Sequence, residues 1–262
     1  MGSFKHLIRF QNASSQIFYG ELDSIKDGDE KYVGRTVRVI EGTSPWDPGF
    51  RITDRTETIA EVSKHAIVVV VKCADHLSKV LCPLPSVLIF VCVGLNYRQH
   101  ANETGMAITP YPVIFTKPAD ALAGPFEDVP IHKECKHMDY EVELCFIIGK
   151  DCKNVSEGED AMQYILGYTA GNDVSSRYWQ QPERSGNQHG SAKSFDKFAL
   201  IGPAITHVSG GTTLRKGTVV MTGTPSGVAA AMKPPVWLED GDVVEVEIEN
   251  IGRLSNKMVF EK

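Results

Sequence analysis

The chain has 262 residues, 42% of them hydrophobic and 23% charged, with a net charge of −6. That size and composition fit one large globular domain, or a catalytic domain with a small appendage. The acidic balance, with no basic stripe and no aromatic-basic interleaving, argues against a nucleic-acid partner. The longest apolar runs, residues 66–71 and 87–95, are far shorter than the roughly 20 residues of a membrane span.

The start, Met1-Gly2-Ser3-Phe4-Lys5-His6, leads into no apolar core, so no secretory signal is expected. His6 also breaks the myristoylation pattern. Residues 1–86 are expected to form a small β-rich accessory unit. Short strands are predicted over 7–10, 16–20 and 36–40, with a turn at 26–30 and a linker around Pro83 and Pro85. From residue 87 the chain becomes more apolar, and residues 87–262 are expected to form the main unit. Strands are predicted over 87–93, 113–116, 140–148, 165–170, 219–222 and 243–248, the last entered through the tight turn Asp240-Gly241-Asp242. Two helices are expected, over 97–103 and over 157–163 with Ser156 as its cap. The fold class is therefore mainly β (α+β). Six cysteines, Cys73, Cys82, Cys92, Cys135, Cys145 and Cys152, show no C-x-x-C spacing. Several lie in apolar runs, as buried free thiols of a reducing compartment do. The cytoplasm is the expected location, with an organelle such as the mitochondrion left open.

Four constellations carry chemistry. Glu141 and Glu143 flank one valine in a strand-like run, so their side chains share a face. Two like charges entering a buried strand need a positive partner. All-oxygen donors favour magnesium, manganese or calcium. Asp173, at the end of another strand-like run, supplies a third carboxylate. An E-x-E alone usually means a solvated strand face; the apolar continuation Cys145-Phe146-Ile147-Ile148 favours a metal, and the motifs that follow favour it further. His100 and Glu103 stand at i and i+3, a spacing that lets a carboxylate fix the ring of a general base, or simply an exposed polar pair. Gly223-Thr224-Pro225-Ser226-Gly227 offers backbone amides and the Thr224 hydroxyl to a carboxylate or phosphate, or is an ordinary turn; it is not a Walker loop. Arg177 and Gln180 share a face with Asp173 if that stretch is helical. Lys193 can neutralise the acids or hold a substrate carboxylate.

Together the segments VGLNYRQHANE, IFTKPADAL, MDYEVELCFIIGKD, GYTAGNDVSSRYWQ, AKSFDKFALIGP and VVMTGTPSGV resemble the fumarylacetoacetate hydrolase family, with its acylpyruvases, oxaloacetate decarboxylases and hydroxymuconate isomerases. The resemblance implies a rolled, mixed β-sheet catalytic domain, assembled as a homodimer and acting on a small oxo acid. It implies a magnesium site at Glu141, Glu143 and Asp173, with manganese or calcium as substitutes. It makes His100 and Glu103 a water-activating pair, with Lys193 as a catalytic residue and Arg177, Gln180 and Thr224 as substrate contacts. The expected reaction is hydrolysis of a carbon–carbon bond in an acylpyruvate-like 2-oxo acid or 1,3-dicarbonyl. Decarboxylation, isomerisation and a catalytically disabled metal-binding relative are the alternatives. One departure stands out: the stretch after Val208 runs almost straight into Gly210-Gly211, where the family carries several tens more residues, as an internal deletion leaves it.

Overall fold

A computed structural model describes residues 4–23, 34–59, 80–155, 160–202, 204–206, 215–249 and 251–262. Among these the fold is mainly β. A 13-stranded mixed sheet runs in the order Arg51–Thr58, Thr36–Glu41, Ile17–Glu21, His6–Gln11, Ala204–Thr206, Ile165–Asp173, Val142–Ile148, Val219–Met221, Phe90–Gly94, Val113–Lys117. Ala199–Ile201 also pairs with Ile165–Asp173, and Leu122–Ala123 pairs with Ala199–Ile201 in parallel. A second, three-stranded sheet joins Val243–Ile248, Gly252–Phe260 and Val129–Ile131. Among the described residues the longest helix is Arg98–Thr104.

The central strands alternate between two apolar layers, as the strand period of two requires. Cys145 and Ile147 of Val142–Ile148 enter one core with Phe90, Cys92, Leu166 and Met221. Phe146 and Ile148 point the other way, to Ile165 and Val220. Because both faces are covered, these strands read as continuous apolar runs. At the crowded centre, a Cβ on Gly171 would lie 2.4 Å from the Cys145 sulfur, so only glycine fits there.

Most predicted strands are present with shifted ends. Three elements differ. The run 140–148 is broken: Met138–Asp139 pairs with Ser175–Ser176, and the long strand begins only at Val142. The reason is local, since the Glu141 amide donates to the Asn172 side chain (3.0 Å) rather than to the ladder. The predicted helix over 157–163 is replaced, in its described part, by a single 3-10 turn, Ala161–Tyr164, capped by Asp160. Its predicted cap, Ser156, lies outside the described residues, as do the turn at 26–30, the apolar run 66–71, Cys73 and the shortened join at 207–214. The stretch around Pro83 is packed rather than loose: Val80–Leu81 pairs with His6–Gln11, and Cys82 and Leu84 are buried.

Candidate active site

Register brings the acids together. Val142 pairs with Asn172 and Glu143 with Gly171, so Glu141 falls opposite Asp173. The Asp173 amide donates to the Glu141 carbonyl at 2.9 Å, which closes that end. Carboxylate oxygens of Glu141, Glu143 and Asp173 then lie within 4.8 Å of one another, all three residues buried.

Three cations face them. Lys193 Nζ lies 2.7 Å from Asp173 Oδ2, 3.0 Å from Glu141 Oε2 and 2.6 Å from the Ser175 hydroxyl. Arg177 pairs through Nη2 with Glu141 Oε1 and through Nε with Asp139 Oδ2, both at 2.7 Å. The third is Lys117, fully buried, whose ammonium meets Asp173 Oδ1 and donates to the Phe198 carbonyl. Asp139 is tied further by the amides of Tyr140, Ala229 and Ala230. Burial opposes the ionisation of Glu141, but the charges of Lys193 and Arg177 overcome it and hold that carboxyl well below the ordinary range. Burial likewise opposes the Lys193 charge, and Asp173 and Glu141 overcome it, raising its pKa.

Glu143 is the exception. Burial, then Asp173, then Glu141 push its pKa well above the ordinary value. Its only hydrogen-bond donor among the described residues is the Gly223 amide, at 2.8 Å on Oε2. A buried carboxylate beside two others, with one neutral donor, is a site short of positive charge. The donor set is oxygen throughout, which fits a hard divalent cation held by Glu141, Glu143 and Asp173.

The predicted pair is also formed. His100 and Glu103 lie one turn apart on Arg98–Thr104, with His100 Nδ1 2.8 Å from Glu103 Oε1. An ionised carboxylate accepts, so Nδ1 carries the proton and Nε2 is left basic. The other Glu103 oxygen accepts from the Gly227 amide at 2.8 Å. One five-residue loop therefore binds Glu143 at its first residue and Glu103 at its last. Thr224 sits between them, buried.

Arg177 and Gln180 occupy a single helical turn, Arg177–Gln180, but Asp173 stays in its strand, so the expected common face is not formed. Instead Arg177 Nη1 donates to Gln180 Oε1 at 2.8 Å and turns its other nitrogens to Asp139 and Glu141. Sequence reasoning assigned no role to Lys117 or Asp139. Lys117 ends an apolar strand, a position where a buried lysine needs an acid, but its partner is 56 residues away along the chain.

The family described as "Fumarylacetoacetate (FAA) hydrolase C-terminal" has a model that matches residues 89–208 and 204–259. The Dictyostelium discoideum protein named fumarylacetoacetate hydrolase domain-containing protein 2 homolog is 38% identical over 216 residues, covering 64% of this chain and 70% of that one. The Xenopus laevis protein named oxaloacetate tautomerase fahd2, mitochondrial, is 35% identical over 218 residues, 68% of each chain. The crystal structure of 2-hydroxyhepta-2,4-diene-1,7-dioate isomerase from Mycobacterium marinum superposes with a TM-score of 0.70 at 28% identity, over 98% of this chain and 99% of that one.

Proposed function

The chain belongs to the fumarylacetoacetate hydrolase family, a family of enzymes, and on that premise we propose that it acts, with a divalent cation, on an enolisable 2-oxo acid. The observation that carries this reading is the buried triad Glu141, Glu143 and Asp173, in which Glu143 forms no ion pair among the described residues. A divalent cation held there supplies Lewis-acid polarisation of the substrate's carboxylate and 2-oxo oxygens; magnesium is the first choice, with manganese or calcium as substitutes. Lys193 and Arg177 keep Glu141 ionised and aimed. Glu103 holds the Nδ1 proton of His100, so Nε2 can take a proton from C3 of the acid; its return to the 2-oxygen interconverts keto and enol forms with no atom gained or lost.

Oxaloacetate is the first substrate to test, because the Xenopus relative bears that name. Hydrolysis of an acylpyruvate is the second reading, and the same pair favours it, since a basic Nε2 can take its proton from water instead. We place the enzyme in a reducing compartment, cytoplasm or mitochondrion, and as a homodimer; fractionation and sizing test both.

The decisive assay follows oxaloacetate tautomerisation, oxaloacetate decarboxylation and acetylpyruvate cleavage with and without Mg2+. His100→Ala should cut the metal-dependent rate by about 10²–10⁴-fold while leaving Mn2+ affinity intact. Unchanged turnover in that variant sinks the role given to His100. A metal-binding but inert wild type would instead support a disabled member of the family.

A further inference from the structure

The strong donors first expected to meet substrate are already engaged. Lys193 is taken by Glu141, Asp173 and Ser175, and Arg177 by Asp139, Glu141 and Gln180. Lys117 is taken by Asp173 and by the carbonyls of Phe198 and Val174. His189 is different. It is half-buried and immediately precedes the helical turn Gly190–Lys193. Two short chains of contact lead from its ring to the acids. One runs through Gln180, 3.0 Å from Nδ1, to Arg177 and Glu141. The other runs through the Phe115 ring, 5.2 Å away between centroids, which lies 5.3 Å from the Lys193 ammonium.

The first chain fixes the tautomer of the ring. Arg177 has only donors, so Gln180 must present Oε1 to it, which turns the Gln180 NH2 toward His189. Nδ1 of His189 must then accept, and the ring proton sits on Nε2. This is the reverse of His100, whose Nε2 is the basic nitrogen. Burial, followed by the charge of Lys193, lowers the pKa of His189 and keeps the ring neutral. Among the described residues the hydrogen bond of the ring is made at Nδ1 and none at Nε2–H, and a Cβ on adjacent Gly190 would meet nothing within 4 Å, so the backbone beside the ring is uncrowded.

We infer that His189 binds substrate, donating its Nε2–H to the oxygen of the 2-oxo acid that the cation does not hold: the far carboxylate of a dicarboxylic acid or the far carbonyl of an acylpyruvate. This rests on the function proposed above and deepens it, by making a second oxygen-bearing group part of what the site selects.

Two substitutions separate the ring's two nitrogens. His189→Asn keeps an acceptor for Gln180 and removes the donor; His189→Gln restores an N–H near the place of Nε2. With oxaloacetate, H189N should raise KM by roughly 10- to 100-fold, the range of one hydrogen bond to a charged group. It should leave kcat within a few-fold and the Mn2+-induced thermal shift unchanged, and H189Q should recover most of the loss. An unchanged KM in H189N overturns the inference. So does a KM effect that comes with a lost Mn2+ shift, because His189 would then act through the acid cluster. Binding is read separately, as the further thermal shift that oxaloacetate gives to Mn2+-loaded protein. A wild type that shows this shift without turnover overturns the proposed reaction, and the H189N shift alone then decides for or against His189. A wild type moved by neither Mn2+ nor oxaloacetate overturns both.

Discussion

At the scale of single residues, four carboxylates, Asp139, Glu141, Glu143 and Asp173, face three cations among the described residues, and the shortfall falls on Glu143. Its neighbours make the sign of a substitution predictable. Folding raises the Glu143 pKa through burial and the charges of Asp173 and Glu141. Between the ordinary carboxylate range and that raised value the folded state binds the extra proton, so in metal-free protein this group's contribution weakens as pH rises. Glu143→Gln removes that penalty and keeps an acceptor for the Gly223 amide. In EDTA at pH 7–8 the variant should therefore melt no lower than wild type. A gain on the order of 1 kcal/mol would appear as about 2–4 °C in Tm for a chain of this size. The same variant should lose most of the thermal shift that Mg2+ or Mn2+ gives wild type. A variant that is destabilised without metal yet still shifted by it contradicts this assignment.

At the scale of elements, the loop Gly223–Gly227 couples the acid triad to the helix Arg98–Thr104 through two backbone amides. The two glycines differ in a way that can be measured. Both have φ in the left-handed region, +98° and +111°. A Cβ on Gly223 would lie 2.7 Å from the Val93 carbonyl and 2.9 Å from the Asn96 Cβ, whereas one on Gly227 meets nothing within 4 Å. Gly227→Ala should cost only the backbone term, about 1–2 kcal/mol. Gly223→Ala adds a steric term of about 1–3 kcal/mol, and by displacing the amide from Glu143 it should weaken Mn2+ binding by roughly tenfold or more. Denaturant unfolding and Mn2+ titration of the pair check this; equal effects at the two positions would remove the loop from the account. Elements of this kind were unevenly legible in sequence. Val243–Ile248 was readable because Asp240-Gly241-Asp242 turns into an alternating strand. Arg51–Thr58 was not, because R-I-T-D-R-T-E-T lies at the sheet's edge and is largely exposed, so no apolar period marks it. The acids were readable at short range, as an i and i+2 pair. What answers them was not: Lys117 and Asp173 are 56 residues apart, and only the register of the strands brings them into contact.

At the scale of the molecule, the division of the chain at residue 86 is crossed by the packing. Strand His6–Gln11 pairs with Ala204–Thr206, which touches Ile165–Asp173 through Thr206 and Tyr168, so the N-terminal strands extend the main sheet. One apolar cluster also contains Leu7, Tyr19, Ile40 and Phe50 from the first unit and Phe90, Cys145, Ile147, Leu166, Ile201 and Met221 from the second. We propose that residues 1–86 form an accessory unit that shares its core with residues 87–262 rather than a domain stable alone. Removing it would uncover the partners of six buried side chains, Leu7, Tyr19, Ile40, Phe50, Cys82 and Leu84, and the large apolar ones among them are worth about 1.5–3 kcal/mol each. That loss is comparable with the whole 5–15 kcal/mol by which a domain is stable. The full chain should accordingly unfold in a single calorimetric transition, with calorimetric and van't Hoff enthalpies in agreement. The fragment 87–262 should be aggregated or partly unfolded at the same temperature. Two resolved transitions in the full chain, or a folded and soluble fragment that binds Mn2+ as the full chain does, would show that the acid site needs only its own unit. The opposite result would mean that the acid triad Glu141, Glu143 and Asp173 depends on a layer supplied by residues 1–86.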